Sequence, residues 1–279
     1  MTQPVELKRS LTLPLLLFYG LGNILGAGIY VLVGKVVAVS GLFAPVSFLL
    51  ASLLATFTAF SYAELSARYP LSAGESIYIQ EGFNIRALSL TVGLLIVLAG
   101  ILSSSAIIQG FIGYLSVFFE APRSWSIVVI VLALFTLAAW GISESVRAAA
   151  LFTVLELAGL ILIIVTGTDA LLSLPEKLPT LIPDWSWLTW YGIFWGALLA
   201  FYAYIGFEDM VNVAEEVEQP RRNMPLAIIF ALVISAFLYF AIALVAVFGS
   251  QSQSLSLANE AKFNTMAALL AQSKIAEMT

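Results

Sequence analysis

The chain has 279 residues, of which 61% are hydrophobic and 10% charged, and its formal net charge is −5. Soluble domains carry about a quarter of charged residues, so this composition indicates an integral membrane protein, with the lipid bilayer as its surroundings. The chain has no cysteine and no histidine, which excludes thiol chemistry and removes the commonest metal ligand and general base. We therefore expect no enzyme, no bound metal and no cofactor, and the negative charge argues against a nucleic-acid partner.

Seven stretches are long and apolar enough to cross a bilayer as helices. They cover residues 11–33, 42–62, 87–119, 124–143, 148–168, a sixth stretch from residue 188 that meets acidic residues at 206–209, and 223–249. We therefore predict an all-α, polytopic membrane helix bundle of about seven transmembrane helices. Residues 250–279 are more polar and amphipathic, and we expect no further span there.

Basic residues in the loops predict the orientation, because they are enriched on the cytoplasmic side of a membrane. Seven of them fall on one side, namely Lys8, Arg9, Arg68, Arg86, Arg147, Arg221 and Arg222, and three on the other, namely Lys35, Arg123 and Lys177. This count predicts a cytoplasmic N-terminus and an external C-terminus, in what we expect to be a bacterial inner membrane. No cleavable signal peptide is expected, because the first apolar stretch is too long.

Two of the stretches contain glycines that would interrupt a membrane helix. The first has glycines at positions 20, 22, 26 and 28, and the sixth has Gly206 followed by Glu208 and Asp209. They are five spans apart and enter from opposite sides, which is the layout of an inverted repeat of five spans each. Residues 1–168 would form the first five-helix repeat, and residues 169–279 would begin the second.

A broken helix exposes backbone groups that lipid cannot satisfy. The half-helix after a break presents free N–H groups, and the half before it presents free carbonyls. Such a pair suits a zwitterionic amino acid, which carries a carboxylate and an ammonium group about one carbon apart. The alternative is that the glycines only allow close helix packing, since small residues line membrane helix interfaces.

Three motifs carry a resemblance to a known family. They are residues 26–30 (Gly-Ala-Gly-Ile-Tyr), residues 62–75 with Glu64, Arg68, Pro70 and Gly74-Glu75, and residues 201–225 with Gly206, Glu208, Glu215-Glu216, Pro220 and Pro225. The sequence thereby resembles the amino acid permeases of the amino acid–polyamine–organocation (APC) superfamily.

The resemblance implies a leucine-transporter-like fold and secondary active transport of amino acids by alternating access, with proton coupling or exchange. Such proteins usually have about twelve spans, so this chain is expected to be a C-terminally truncated piece. The alternative function is a non-transporting fragment or a partner-bound membrane scaffold.

The resemblance also implies the residues of the substrate site. The backbone and side chains expected to hold the amino acid are those of Ile24, Gly26, Ala27, Gly28, Ile29, Tyr202, Ala203, Ile205 and Gly206. Tyr202 is also expected to act as a gating aromatic residue.

Two carboxylates at membrane depth are expected to function in gating or proton coupling, since charges there are costly. Glu208 follows the second glycine break, and Glu156 lies midway along the fifth stretch. Some members of the family have a lysine near the position of Glu156. A coupling mechanism based on that lysine does not carry over to this chain, which has a glutamate there. On the inner side, Glu64, Arg68, Glu75, Glu215 and Glu216 are read either as an ion-pair set or as solvated interfacial charges.

Overall fold

A computed structural model describes residues 9–72, 74–119, 121–172 and 174–277, without the side chains of Ala27 and of residues 169–170 and 250–277. Every regular element in these ranges is helical. The one β-type pairing in these ranges is an isolated parallel bridge between Leu11 and Val217. The prediction of an all-α fold is therefore confirmed.

Ten α-helices follow one another along the described chain. They are α1 (Leu13–Ser40), α2 (Ala44–Arg68), α3 (Gly74–Phe83), α4 (Arg86–Leu115), α5 (Arg123–Trp140), α6 (Ile142–Thr166), α7 (Thr168–Leu172), α8 (Leu174–Lys177), α9 (Trp187–Tyr204) and α10 (Pro220–Glu277). Three 3₁₀-helices lie between them, at Gly41–Phe43, Leu178–Leu181 and Glu208–Glu216.

Six helical segments of the described chain are long and apolar enough to cross a membrane. One of them, Gly28–Arg68, contains both the second half of α1 and all of α2, and the shorter apolar segment Leu13–Gly26 precedes it. Counting α1 and α2 as separate helices gives about seven spans. The predicted polytopic helical bundle is confirmed.

The junction between α5 and α6 differs from the prediction. The predicted spans at residues 124–143 and 148–168 left Glu144 and Arg147 between them, but both residues lie in the first turns of α6. Gly141 alone separates the two helices and has φ 143° and ψ 161°, a conformation that side chains rarely allow. The charged pair is instead an exposed i,i+3 contact of 3.8 Å.

The last helix is also longer than predicted. The seventh span was placed at residues 223–249, whereas α10 begins at Pro220 and continues to Glu277. A first-turn proline is compatible with its start, because the first turn has free N–H groups anyway.

The centre of the bundle is formed by α1, α2, α9 and α10, which pack against one another. On α2, alanines recur at every fourth position, at Ala51, Ala55, Ala59 and Ala63, and all are buried. Small residues on one helix face let neighbouring backbones approach closely. In contrast, α4 and α5 expose most of their apolar side chains. The two glycine interruptions, in α1 and after α9, therefore lie in the best-packed part of the described chain.

Candidate functional site

The first interruption lies in α1 at Gly26. Its backbone dihedral angles, φ −18° and ψ −164°, are not helical, although helix continues on both sides. A Cβ atom placed on Gly26 would meet nothing within 4 Å. The non-helical residue therefore borders open space.

The second interruption follows α9, which ends at Tyr204. Ile205 is extended, and Gly206 has φ 137°, a value that favours glycine. A Cβ atom on Gly206 would lie 2.4 Å from the carbonyl oxygen of Asn23 and 3.0 Å from the backbone nitrogen of Ile24. Gly206 is thus required both by its conformation and by close contact with α1.

These contacts bring the two interruptions together. In addition to the contact at Gly206, a Cβ atom on Gly28 would lie 3.4 Å from the Cα atom of Ala203. Residues on either side of Gly26 therefore face the last turn of α9 and the glycine that follows it.

Tyr239, on α10, links the two interrupted segments. Its buried hydroxyl lies 2.6 Å from the carbonyl oxygen of Ile24 and 3.0 Å from that of Ala203. Since the hydroxyl has one proton, it donates to one of these carbonyls at a time. Tyr239 thus stabilises carbonyls at the ends of two helical segments.

An aromatic cluster fixes the position of Tyr239. Its ring centroid lies 5.0 Å from that of Tyr204 and 6.0 Å from that of Phe48. The hydroxyl of Tyr204 donates to the carbonyl oxygen of Phe48 at 3.2 Å. All three side chains are fully buried or nearly so.

Sequence reasoning did not select Tyr239 or Tyr204. The available signal was a tyrosine in the middle of an apolar span, because a buried phenol needs a hydrogen-bond partner. The sequence alone does not say which helix supplies that partner.

The residues predicted for the substrate site fall into two groups. Ile24, Ile29, Ala203 and Gly206 are buried beside the interruptions, whereas Gly26 and Gly28 are partly exposed. Tyr202 and Ile205 are instead 62% and 39% exposed. The side chain of Ala27 lies outside what the structure describes. Substrate binding by this set stays a prediction, as does gating by Tyr202.

Glu208 binds the backbone at the second interruption. One of its carboxylate oxygens accepts a hydrogen bond of 2.8 Å from the N–H group of Gly206. A carboxylate accepting from a backbone N–H forms one of the stronger kinds of hydrogen bond. The carboxylate therefore holds the turn that follows α9.

A second carboxylate, Glu75, lies near this turn. It accepts a hydrogen bond of 2.9 Å from the hydroxyl of Tyr62, whose ring packs edge-on against that of Phe207 at 5.7 Å. Its other carboxylate oxygen is buried without a hydrogen-bond partner in the described chain. The first turn of α3 and the turn after α9 are therefore connected through Tyr62.

Glu156 lies on the face of α6 that packs against α1. The same face carries Thr153 and Leu160, both buried. The hydroxyl of Thr153 contacts α1 at Gly22, and the hydroxyl of Tyr30 contacts α6 at Gly159. Glu156 forms no ion pair with any described residue, so its predicted role in proton coupling stays a prediction.

The inner-side charges do not form an ion-pair network within the described residues. Arg68 pairs with Glu64 at 2.5 Å, and both side chains are exposed. Glu215 and Glu216 instead accept hydrogen bonds from the backbone and hydroxyl of Ser72, at 3.1 and 3.4 Å. Hydrogen bonds from Ser72 therefore connect the chain before α3 with the 3₁₀-helix Glu208–Glu216.

Comparisons with known proteins agree with this architecture. A family model described as "Amino acid permease" matches residues 11–276. The chain is 31% identical over 268 residues to "Cationic amino acid transporter 3, mitochondrial" of Arabidopsis thaliana, covering 87% of this chain and 43% of that protein.

Two relatives from Bacillus subtilis (strain 168) are similar at comparable levels. "Methylthioribose transporter" is 29% identical over 261 residues, covering 86% of this chain and 55% of that protein. "Branched-chain amino acid permease BcaP" is 29% identical over 255 residues, covering 84% and 53%. The chain spans about half the length of these relatives. It belongs to the amino acid permease family of the APC superfamily.

Proposed function

We propose that the chain forms the substrate-binding part of a secondary transporter of amino acids, which works by alternating access. The observation that carries the proposal is the Tyr239 hydroxyl, which lies within hydrogen-bond distance of carbonyls in both interrupted segments. The names of two relatives, which mention cationic and branched-chain amino acids, also support it.

The carboxylate of the amino acid would bind beyond Gly26. The N–H groups of Ala27, Gly28 and Ile29 follow the non-helical residue, and the N-terminal end of a helical segment attracts an anion. The open space at Gly26 leaves room for this group.

The ammonium group would bind the carbonyls near the end of α9. One hydroxyl proton cannot serve the carbonyls of Ile24 and Ala203 at once, whereas an ammonium group has three protons to donate. In this arrangement Tyr239 donates to Ile24, at the shorter distance, and the substrate donates to Ala203.

Glu208 and Glu156 are the candidates for coupling. Both are carboxylates at membrane depth, where a charge is costly unless it is neutralised or hydrogen-bonded. We propose that protonation of one or both accompanies transport, by proton symport or by exchange. The proposal places the N-terminus in the cytoplasm of a bacterial inner membrane, in keeping with the distribution of arginines and lysines.

Binding of radiolabelled amino acids to the chain in nanodiscs tests this function. Wild-type chain is expected to bind at least one member of a panel of acidic, neutral and cationic amino acids. Gly28→Leu should abolish this binding, because any side chain at Gly28 approaches the Ala203 backbone.

The matched control is Gly100→Leu, since a Cβ atom at Gly100 meets nothing within 4 Å. This variant should bind as the wild type does. Full binding by Gly28→Leu, with both variants inserted and monodisperse, would return the first-span glycines to a packing role.

A further inference from the structure

Four of the twelve basic residues of the chain line two surface cavities. One cavity, of about 490 Å³, is lined by Arg9, Pro70, Gln219, Pro220, Arg221 and Arg222. The other, also of about 490 Å³, is lined by Ala67, Arg68, Tyr69 and Arg221. The two cavities share Arg221 and are therefore neighbours, and we refer to them together as the basic groove.

The basic groove lies where three apolar helices end. Arg9 is close to the start of α1 at Leu13, Arg68 is the last residue of α2, and Arg221 follows the first residue of α10. The groove is therefore at the level where the apolar spans give way to polar chain, which in a bilayer is the headgroup region.

Backbone hydrogen bonds hold the two sides of the groove together. The N–H groups of Ser10 and Leu11 donate to the carbonyl of Glu216 at 2.8 and 2.9 Å, and the N–H of Glu218 donates to the carbonyl of Leu11 at 2.9 Å. These bonds place Arg9 beside a turn that is more than 200 residues away in sequence.

The turn itself has a defined shape. Gln219 has φ 49°, a conformation that is uncommon for a residue with a side chain. Its carbonyl accepts from the N–H groups of Arg222 and Asn223, at 2.9 and 3.0 Å. The side chains of Arg221 and Arg222 therefore extend from a backbone whose conformation is held by hydrogen bonds.

The described residues leave the arginines of the groove largely without ion-pair partners. Arg9, Arg221 and Arg222 form no ion pair with a described residue, and Arg68 pairs only with the exposed Glu64. Of the nearby acidic residues, Glu215 and Glu216 accept from Ser72, and Glu218 is exposed. Arginines and lysines on this side of the membrane are expected from the rule that basic residues set membrane orientation. That rule does not require four arginines to line the same groove.

We propose that the basic groove binds the headgroup phosphate of an anionic phospholipid of the phosphatidylglycerol type, in the leaflet on the N-terminal side of the membrane. The arginine guanidinium presents paired N–H donors that match phosphate oxygens. Basic pockets between membrane helices are suited to anionic headgroups. The N-terminal end of α10, at Pro220, adds partial positive charge to the same groove.

Lipid retention by the purified chain tests this site. The chain is prepared in nanodiscs of equal parts phosphatidylglycerol and phosphatidylcholine, extracted into mild detergent, and analysed for bound lipid by native mass spectrometry. We expect phosphatidylglycerol to be retained about tenfold over phosphatidylcholine, and Arg9→Gln/Arg221→Gln/Arg222→Gln to remove this preference. The single variant Arg222→Gln should lower it about fivefold, and it serves as the test if the triple variant does not purify.

The control variant is Arg86→Gln, because Arg86 lies on the same predicted side but outside both cavities. It should keep the wild-type preference. An unchanged preference in the groove variants would overturn the proposal, and so would an equal loss in Arg86→Gln. Displacement of the lipid by inorganic phosphate at millimolar concentration would also overturn it, since the site would then bind free anions.

Discussion

The hydroxyl of Tyr239 and the carbonyl oxygen of Ile24 lie 2.6 Å apart, although the two residues are 215 positions apart in the sequence. The contact joins the seventh span to the first, just before the non-helical Gly26. The same hydroxyl reaches the carbonyl of Ala203 in the sixth span. One side chain therefore connects three spans at the candidate site.

Removal of this hydroxyl tests its role. Tyr239→Phe leaves the ring in the cluster with Phe48 and Tyr204 but removes the proton that the carbonyls of Ile24 and Ala203 share. We expect a loss of about 1–3 kcal/mol in stability, because buried acceptors left unpaired cost this much. Thermal unfolding in detergent measures the loss of stability. Amino acid binding, measured on the same variant, should also weaken.

Tyr114→Phe is the matched control, because Tyr114 is 63% exposed on α4. It should leave both the unfolding temperature and binding unchanged. Equal unfolding temperatures and affinities for the two variants would show that the Tyr239 hydroxyl is dispensable.

Gly206→Ala should destabilise the chain strongly. The new Cβ atom would lie 2.4 Å from the backbone oxygen of Asn23, and φ 137° is unfavourable for alanine. The expected cost is on the order of 3 kcal/mol or more, because backbone cannot yield as a flexible side chain can. The folded fraction after extraction, followed by size-exclusion chromatography, measures it.

Gly100→Ala provides the contrast in a helix without such contacts. It should be neutral or stabilise by about 0.5–1 kcal/mol, since alanine favours helix over glycine. A Gly206→Ala chain that folds as well as Gly100→Ala would contradict the close approach of the first and sixth spans.

Glu156→Gln tests proton coupling. The amide keeps the shape of a neutral carboxyl group but cannot bind or release a proton. Proton uptake accompanying amino acid uptake, measured in proteoliposomes that contain the whole transporter, should therefore be lost, and the pH dependence of amino acid uptake should flatten. The control is Glu176→Gln, on the exposed surface of α8, which should behave as the wild type. Undiminished proton uptake by Glu156→Gln would exclude Glu156 from coupling.

Much of the fold could be predicted from apolar length. The third span was placed at residues 87–119, close to α4 at Arg86–Leu115, because charged residues flank it clearly. The start of α6 was missed because Glu144 and Arg147 resemble a loop, although helices accommodate exposed charges in a first turn. Helix α3 was missed because a short helix containing Glu75 and Glu81 lacks the apolar length of a span.

The candidate site was predictable only in part. Glycines mark positions where a backbone departs from regular structure, so Gly26 and Gly206 could be selected from the sequence. Tyrosine carries no such mark. Tyr202 was selected for the substrate site and Tyr204 was not, yet Tyr204 is the buried one. Residues two positions apart in a helix face nearly opposite directions, so only one of the two tyrosines can point into the bundle.

In the proposed complex an amino acid carboxylate contacts the backbone just beyond Gly26. Solid-state NMR measures this directly, as the dipolar coupling between the ¹³C-labelled carboxyl carbon of the bound amino acid and the ¹⁵N-labelled amide of Gly28. We predict a separation of about 4 Å between these two atoms, which follows from one N–H···O hydrogen bond of ordinary length. Binding of the amino acid without measurable coupling to the amides of Gly28 or its neighbours, Ala27 and Ile29, would contradict it.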